Sequence, residues 1–156
     1  MTHVSEQAPT FALPEAPGAM IDMKDVFGTG TVVLLFFPLA FSPVCTEEFC
    51  TIREDYAAWA SLGAKVFGIS IDSPFVNAKF REAENLPFPL LSDFNKDVAT
   101  TYGALHEDLG GMKGVTKRAA FVINRAGAVT YEWISDDPGV QVDFDAIKNA
   151  VEACEG

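Results

Sequence analysis

The chain reads as an α/β domain with a mixed central sheet flanked by helices, and three observations carry that reading. Residues 31–37, Thr-Val-Val-Leu-Leu-Phe-Phe, are apolar without alternation, the mark of a strand buried on both faces. Residues 44–61 then place Phe49, Ile52, Tyr56 and Trp59 at three- and four-residue spacing, a helical stripe between that run and the next one at 64–71. Such a crossover makes the two strands parallel, whereas residues 119–124 and 128–134 flank Asn124-Arg-Ala-Gly127 and form an antiparallel hairpin.

The remaining elements follow in order. Residues 11–13 and 20–23, separated by Pro14, Pro17 and Gly18, predict two short edge strands joined by a turn. Pro74 opens a helix to about Glu84, with proline just inside its start. A short strand is expected over 88–91 and a short helix over 95–102, after which four glycines make 103–117 a loop. Residues 143–153, with Val142, Phe144, Ile147 and Val151 apolar, close the chain as a helix. That order matches a thioredoxin-like fold enlarged at its N-terminus and between its halves, one domain over 1–156.

Hydrophobic residues make up 49% and charged residues 21%, which argues against wholesale disorder. The net charge of −11 disfavours nucleic acid and anionic membranes, both of which need a cationic patch. An acidic soluble protein and a protein adapted to high salt both fit it. The first nine residues have neither a basic nor an apolar leader segment, and no apolar run approaches the roughly 20 residues of a membrane span. A cytoplasmic location is expected. Three cysteines, Cys45, Cys50 and Cys154, suit redox chemistry better than a disulfide framework. Zinc is disfavoured, because His3 and His106 are not at ligand spacing from them.

The chemistry concentrates at Pro38-Leu-Ala-Phe-Ser42-Pro-Val-Cys45-Thr-Glu-Glu48-Phe-Cys50. A cysteine in the first turn of a helix, just past a buried strand, meets unpaired N–H groups and partial positive charge that favour thiolate over thiol. Plain structural roles stand beside this. Ser42-Pro43 is also a helix start with Ser as N-cap, Pro38 ends a strand, and Glu48 suits the positive end of a helix. A free cysteine is often a small buried hydrophobe, and a lone arginine such as Arg118 is usually solvated.

The spacing Pro38-x-x-x-Ser42-x-x-Cys45, with Arg118 opening the run at 119–124, resembles the active-site signature of the peroxiredoxins, thiol peroxidases on a thioredoxin-like fold with an N-terminal extension. The resemblance extends from Ala8-Pro9-x-Phe11-x-Leu13 to the terminal helix. It implies that Cys45 is the peroxidatic nucleophile, that Arg118 and Ser42 activate and orient the peroxide, and that Pro38 shapes the pocket. Most members carry Thr where this chain has Ser42. It further implies Glu48 as a partner of the arginine; Arg53, on the same helix, is expected to pair with Glu48 in turn.

Cys50, five residues beyond Cys45, resembles the resolving cysteine of the bacterioferritin-comigratory-protein, or Q-type, group, while the loop Pro38-Leu-Ala-Phe resembles the one-cysteine AhpE-type group. Five helical positions rotate by about 140° and rise about 7.5 Å, so a Cys45–Cys50 disulfide would require the first turns to unwind. Resolution by an external thiol, and Cys50 as an inert core thiol, remain open beside it. Cys154 is a third redox player or incidental. The expected substrates are hydrogen peroxide and small organic hydroperoxides, and no metal, haem or flavin is needed. A thioredoxin- or glutaredoxin-like reductant is implied, and the protein is a monomer or a homodimer. A thiol–disulfide oxidoreductase would carry Cys-x-x-Cys instead; a redox sensor or chaperone-like protein would use the same cysteine to signal.

Overall fold

Apolar runs become the interior of the sheet, and chain order decides which neighbour each strand takes. The computed structural model describes residues 4–154, so His3 lies outside the described residues. The chain begins with β1 (Ala12–Ala16), β2 (Ala19–Asp22) and a 3-10 turn at Met23–Asp25. Then come β3 (Thr31–Phe36), α1 (Pro43–Ser61), β4 (Ala64–Ser70) and α2 (Pro74–Ala83). The second half contains β5 (Leu90–Ser92), α3 (Asp97–Tyr102), β6 (Arg118–Ile123), β7 (Val129–Ser135) and α4 (Phe144–Ala153).

The five-stranded sheet has the order β5-β4-β3-β6-β7. Its β3–β4 and β4–β5 pairs are parallel, and its β3–β6 and β6–β7 pairs antiparallel. Every residue of the central β3 is buried. Val33 and Leu35 face one cluster with Phe49, Ile52 and Trp59 of α1 and Ile147 and Val151 of α4. Val32, Leu34 and Phe36 face the other, with Tyr102 of α3, Met23 and Phe121. Each such side chain contributes about 1.5–3 kcal/mol on burial. Gly68 sets how closely α1 approaches: a side chain there would collide with Leu90 and crowd Phe49 and Phe37.

Three sequence expectations shift. The N-terminal strands are not edges of the main sheet but a separate two-stranded sheet, packed through β1 against β5 and α2. Pro14 has no N–H for a ladder, and the register slips between it and Ala16. The fifth strand starts at Leu90 rather than Phe88, since Pro89 likewise donates nothing. The third helix starts at Asp97 rather than Asn95: Lys96 adopts a left-handed φ of 68°, and the Asp93 carboxylate accepts the Val98 and Ala99 N–H groups.

Candidate active site

The chain leaves β3 at the sheet's C-terminal end, turns over Pro38 to Ser42, and enters α1 with Pro43 at its first position. Within the turn, the Ser42 N–H and hydroxyl both donate to the Leu39 carbonyl, at 3.4 and 2.9 Å. Ser42 therefore occupies the N-cap position of α1 without capping it through its side chain. Phe41 takes a left-handed φ of 68°, and its ring meets Phe80 of α2 at 4.9 Å between centroids. Cys45, third residue of the helix, is fully buried.

Arg118 is the first residue of β6, the strand beside β3, and its side chain is 1% exposed. One terminal nitrogen, Nη2, donates to Cys45 Sγ at 3.1 Å. Nε and Nη2 also donate to the Pro138 carbonyl, at 3.3 and 3.1 Å. The other terminal nitrogen, Nη1, lies 3.1 Å from Glu48 Oε1 in an ion pair closed to solvent. Glu48 Oε2 accepts the Val142 N–H at 3.0 Å. Burial pushes the Glu48 carboxyl above its ordinary pKa, opposed by the Arg118 charge and the Val142 N–H. Glu48 stands in the second turn of α1, past the reach of the helix terminus, so the ion pair rather than the dipole is its environment.

A cleft of about 310 Å³ opens beside this centre, lined by Pro38, Leu39, Ser42, Val44, Leu109, Arg118 and Gly139, among others. Apart from Arg118 and Ser42 these residues offer apolar surface. A second groove, about 330 Å³ between β1 and the segment 92–98, is lined by Asp93, whose carboxylate already serves α3, and has no cysteine in its lining. Among the described residues no group of three His, Cys, Asp or Glu is placed to hold a metal ion.

Cys50 and Arg53 do not join the centre. Cys50 is half-buried and donates to Glu84 Oε2 across 3.7 Å. Burial pushes its thiol pKa up, and the Glu84 charge adds to this while Arg53 opposes it. Arg53 does not pair with Glu48, as the sequence suggested; its guanidinium donates to the Glu84 carbonyl at the end of α2. The reason is helical: positions five apart point about 140° away from each other, so Arg53 faces α2 while Glu48 faces Arg118. Cys45 and Cys50 are separated in the same way on an unbroken helix, and all three cysteines are free. Cys154, at the end of α4, touches the Thr130 hydroxyl at 3.4 Å. The Pro138 carbonyl, the Val142 amide and Leu109 escaped the sequence reading, because main-chain groups and loop apolar residues carry no motif.

Comparison with known proteins places this geometry in context. The model of the AhpC/TSA family matches residues 4–132. A Mycobacterium tuberculosis protein named as a peroxiredoxin is 38% identical over 127 residues, 80% of each chain. A Coxiella burnetii protein named as the peroxiredoxin bcp is 34% identical over 142 residues, 90% of this chain and 91% of its own. The crystal structure of peroxidoxin BcpB from M. tuberculosis superposes with a TM-score of 0.86 at 30% identity, covering 98% of both chains.

Proposed function

The chain belongs to the AhpC/TSA family of peroxiredoxins and is a peroxidase, and on that premise we propose that its chemistry runs through Cys45, with Arg118 and Ser42 beside it. The observation that carries this is the 3.1 Å contact from Arg118 to the Cys45 sulfur, made by a guanidinium already fixed by Glu48 and Pro138. A donated N–H with full positive charge is a contact that a thiolate accepts better than a thiol. The thiolate attacks the terminal oxygen of a hydroperoxide. The S–O bond forms as the O–O bond breaks, Cys45 becomes a sulfenic acid, and the leaving alkoxide or hydroxide takes a proton. Arg118 also stabilises the charge that develops on the departing oxygen, Ser42 orients the peroxide, and Pro38 excludes water. The apolar lining of the cleft suits small organic hydroperoxides as well as hydrogen peroxide.

Resolution follows when the Cys50 thiol attacks the Cys45 sulfenic acid, giving a disulfide and water after the first turns of α1 unwind. A dithiol reductant of thioredoxin or glutaredoxin type then restores both thiols, as a cytoplasmic setting supplies. One observation favours the alternative, an external resolving thiol: Cys50 is engaged by Glu84 and its pKa is raised. Stopped-flow oxidation with one equivalent of peroxide, read by mass spectrometry, tests both steps. The expected products are a Cys45–Cys50 disulfide in the wild type and a Cys45 sulfenic acid in Cys50→Ser. A wild-type rate no greater than that of free cysteine would sink the peroxidase chemistry. A lasting sulfenic acid in the wild type would assign resolution to an external thiol.

A further inference from the structure

The loop 38–42 carries Pro38 and Ser42 into the cleft, yet its own hydrogen bonds only close Ser42 onto Leu39. Its middle contains Phe41 in a left-handed conformation that a large side chain does not hold by preference. Such a backbone persists only where its surroundings over-determine it. One support is the Phe41–Phe80 ring contact. The other comes from Asp72, in the connection between β4 and α2: its Oδ2 accepts the Ala40 N–H at 2.8 Å.

Asp72 is itself held from two elements, β4 and β5, and α2 backs the first of these. The same Oδ2 accepts the Ser70 hydroxyl at 2.7 Å, and the Asp72 N–H donates back to Ser70 Oγ at 3.2 Å. Ser92 of β5 donates to the Asp72 carbonyl at 2.5 Å. With the one Ser70 hydroxyl proton given to Asp72, Asn77 of α2 donates through Nδ2 to Ser70 Oγ at 3.1 Å and to the Leu91 carbonyl at 3.2 Å. Both Ser70 and Asn77 are fully buried. A buried, cross-bonded polar cluster of this kind is rigid. It ends in one carboxylate oxygen aimed at the loop that shapes the cleft.

We propose that Asp72 is a positioning residue for the peroxide reaction: through the Ala40 N–H it fixes the loop that places Pro38 and Ser42 against the substrate of Cys45. This rests on the assignment of Cys45 as the nucleophile. Misplacement of a reacting geometry by about 1 Å can cost about 100-fold in rate. Loss of this latch is therefore a kinetic defect more than a loss of fold.

The test compares Asp72→Ala with Asp72→Asn, which keeps an acceptor oxygen at the same reach. Asp72→Ala is expected to lower the second-order rate constant for Cys45 oxidation by about tenfold or more. Asp72→Asn should restore it to within about threefold, because a neutral oxygen still accepts the N–H. Hydrogen exchange at the Ala40 amide should accelerate by about tenfold in Asp72→Ala while Val33 to Leu35 keep their protection. If Asp72→Ala does not fold, Asp72→Ser, too short to reach Ala40, takes its place with the same expectations. A fast wild type matched within about twofold by the shortened variant would overturn the assignment of Asp72 alone, as would an unchanged Ala40 exchange rate. A wild type no faster than free cysteine would overturn the peroxidase chemistry and this proposal with it.

Discussion

Cys45 and Cys50 share one helix and differ in almost everything else. Cys45 is fully buried with a guanidinium nitrogen 3.1 Å from its sulfur; Cys50 is half-buried with a carboxylate oxygen 3.7 Å away. Five residues of α-helix, about 140° of rotation, are enough to sort two identical side chains into opposite electrostatic settings. The neighbour that matters to Cys45 is Arg118, 73 residues along the chain, brought in because β6 pairs with β3. Nearness in sequence thus separates the two thiols, and sheet topology supplies the charge that distinguishes them.

The contrast is broken most severely by removing that charge. Arg118→Met is expected to lower the rate constant for peroxide by about 10³-fold, the scale seen when a preorganised donor to the transition state is lost. It also leaves Glu48 buried without its partner, which costs about 3–5 kcal/mol. Stopped-flow kinetics and thermal unfolding measure the two effects separately. A variant that keeps the wild-type rate would mean that Cys45 owes its reactivity to the helix terminus alone.

Glu48→Gln is the milder cut. It retains an acceptor for the Val142 N–H and removes the negative charge facing Arg118. The expected loss in rate is about tenfold, since the guanidinium keeps its bonds to Pro138 and the sulfur but loses its third anchor. Combined with Arg118→Met, the stability cost should be clearly less than the sum of the single costs, because the two groups answer each other's burial. Additive unfolding energies would show that the pair is not coupled.

Much of this contrast was legible in the sequence, and the exceptions have physical causes. An unbroken apolar run identified the central strand, and the Pro38, Ser42 and Cys45 spacing with a strand-opening Arg118 marked the centre. Those features are local, or depend on a strand order that crossover rules constrain. The sequence does not give the partner of Arg53, because it says nothing of what packs on the far side of α1; the end of α2 does so. Asp72, the Pro138 carbonyl and the Val142 amide were invisible, since each acts where loops from different strands converge. The sequence pattern shows the N-terminal hairpin as two strands, but periodicity does not say which sheet a hairpin joins.

The smallest expected effect is at Cys50, and it tests the other side of the comparison. In a Cys45→Ser/Cys154→Ser background, iodoacetamide alkylation of Cys50 followed against pH reports its thiolate alone. Burial is the largest cause raising its pKa, with Glu84 adding to it and Arg53 opposing. The alkylation midpoint should therefore lie above that of free cysteine. Since the folded state holds this proton more tightly than the unfolded chain, stability declines as pH rises beyond the ordinary thiol range. Glu84→Gln removes the charge but not the burial, so the midpoint should fall while staying above that of free cysteine, and alkylation below the midpoint should be slightly faster. A midpoint at or below that of free cysteine would erase the difference between the two thiols. A midpoint unmoved by Glu84→Gln would assign it to burial alone and take α2 out of the comparison.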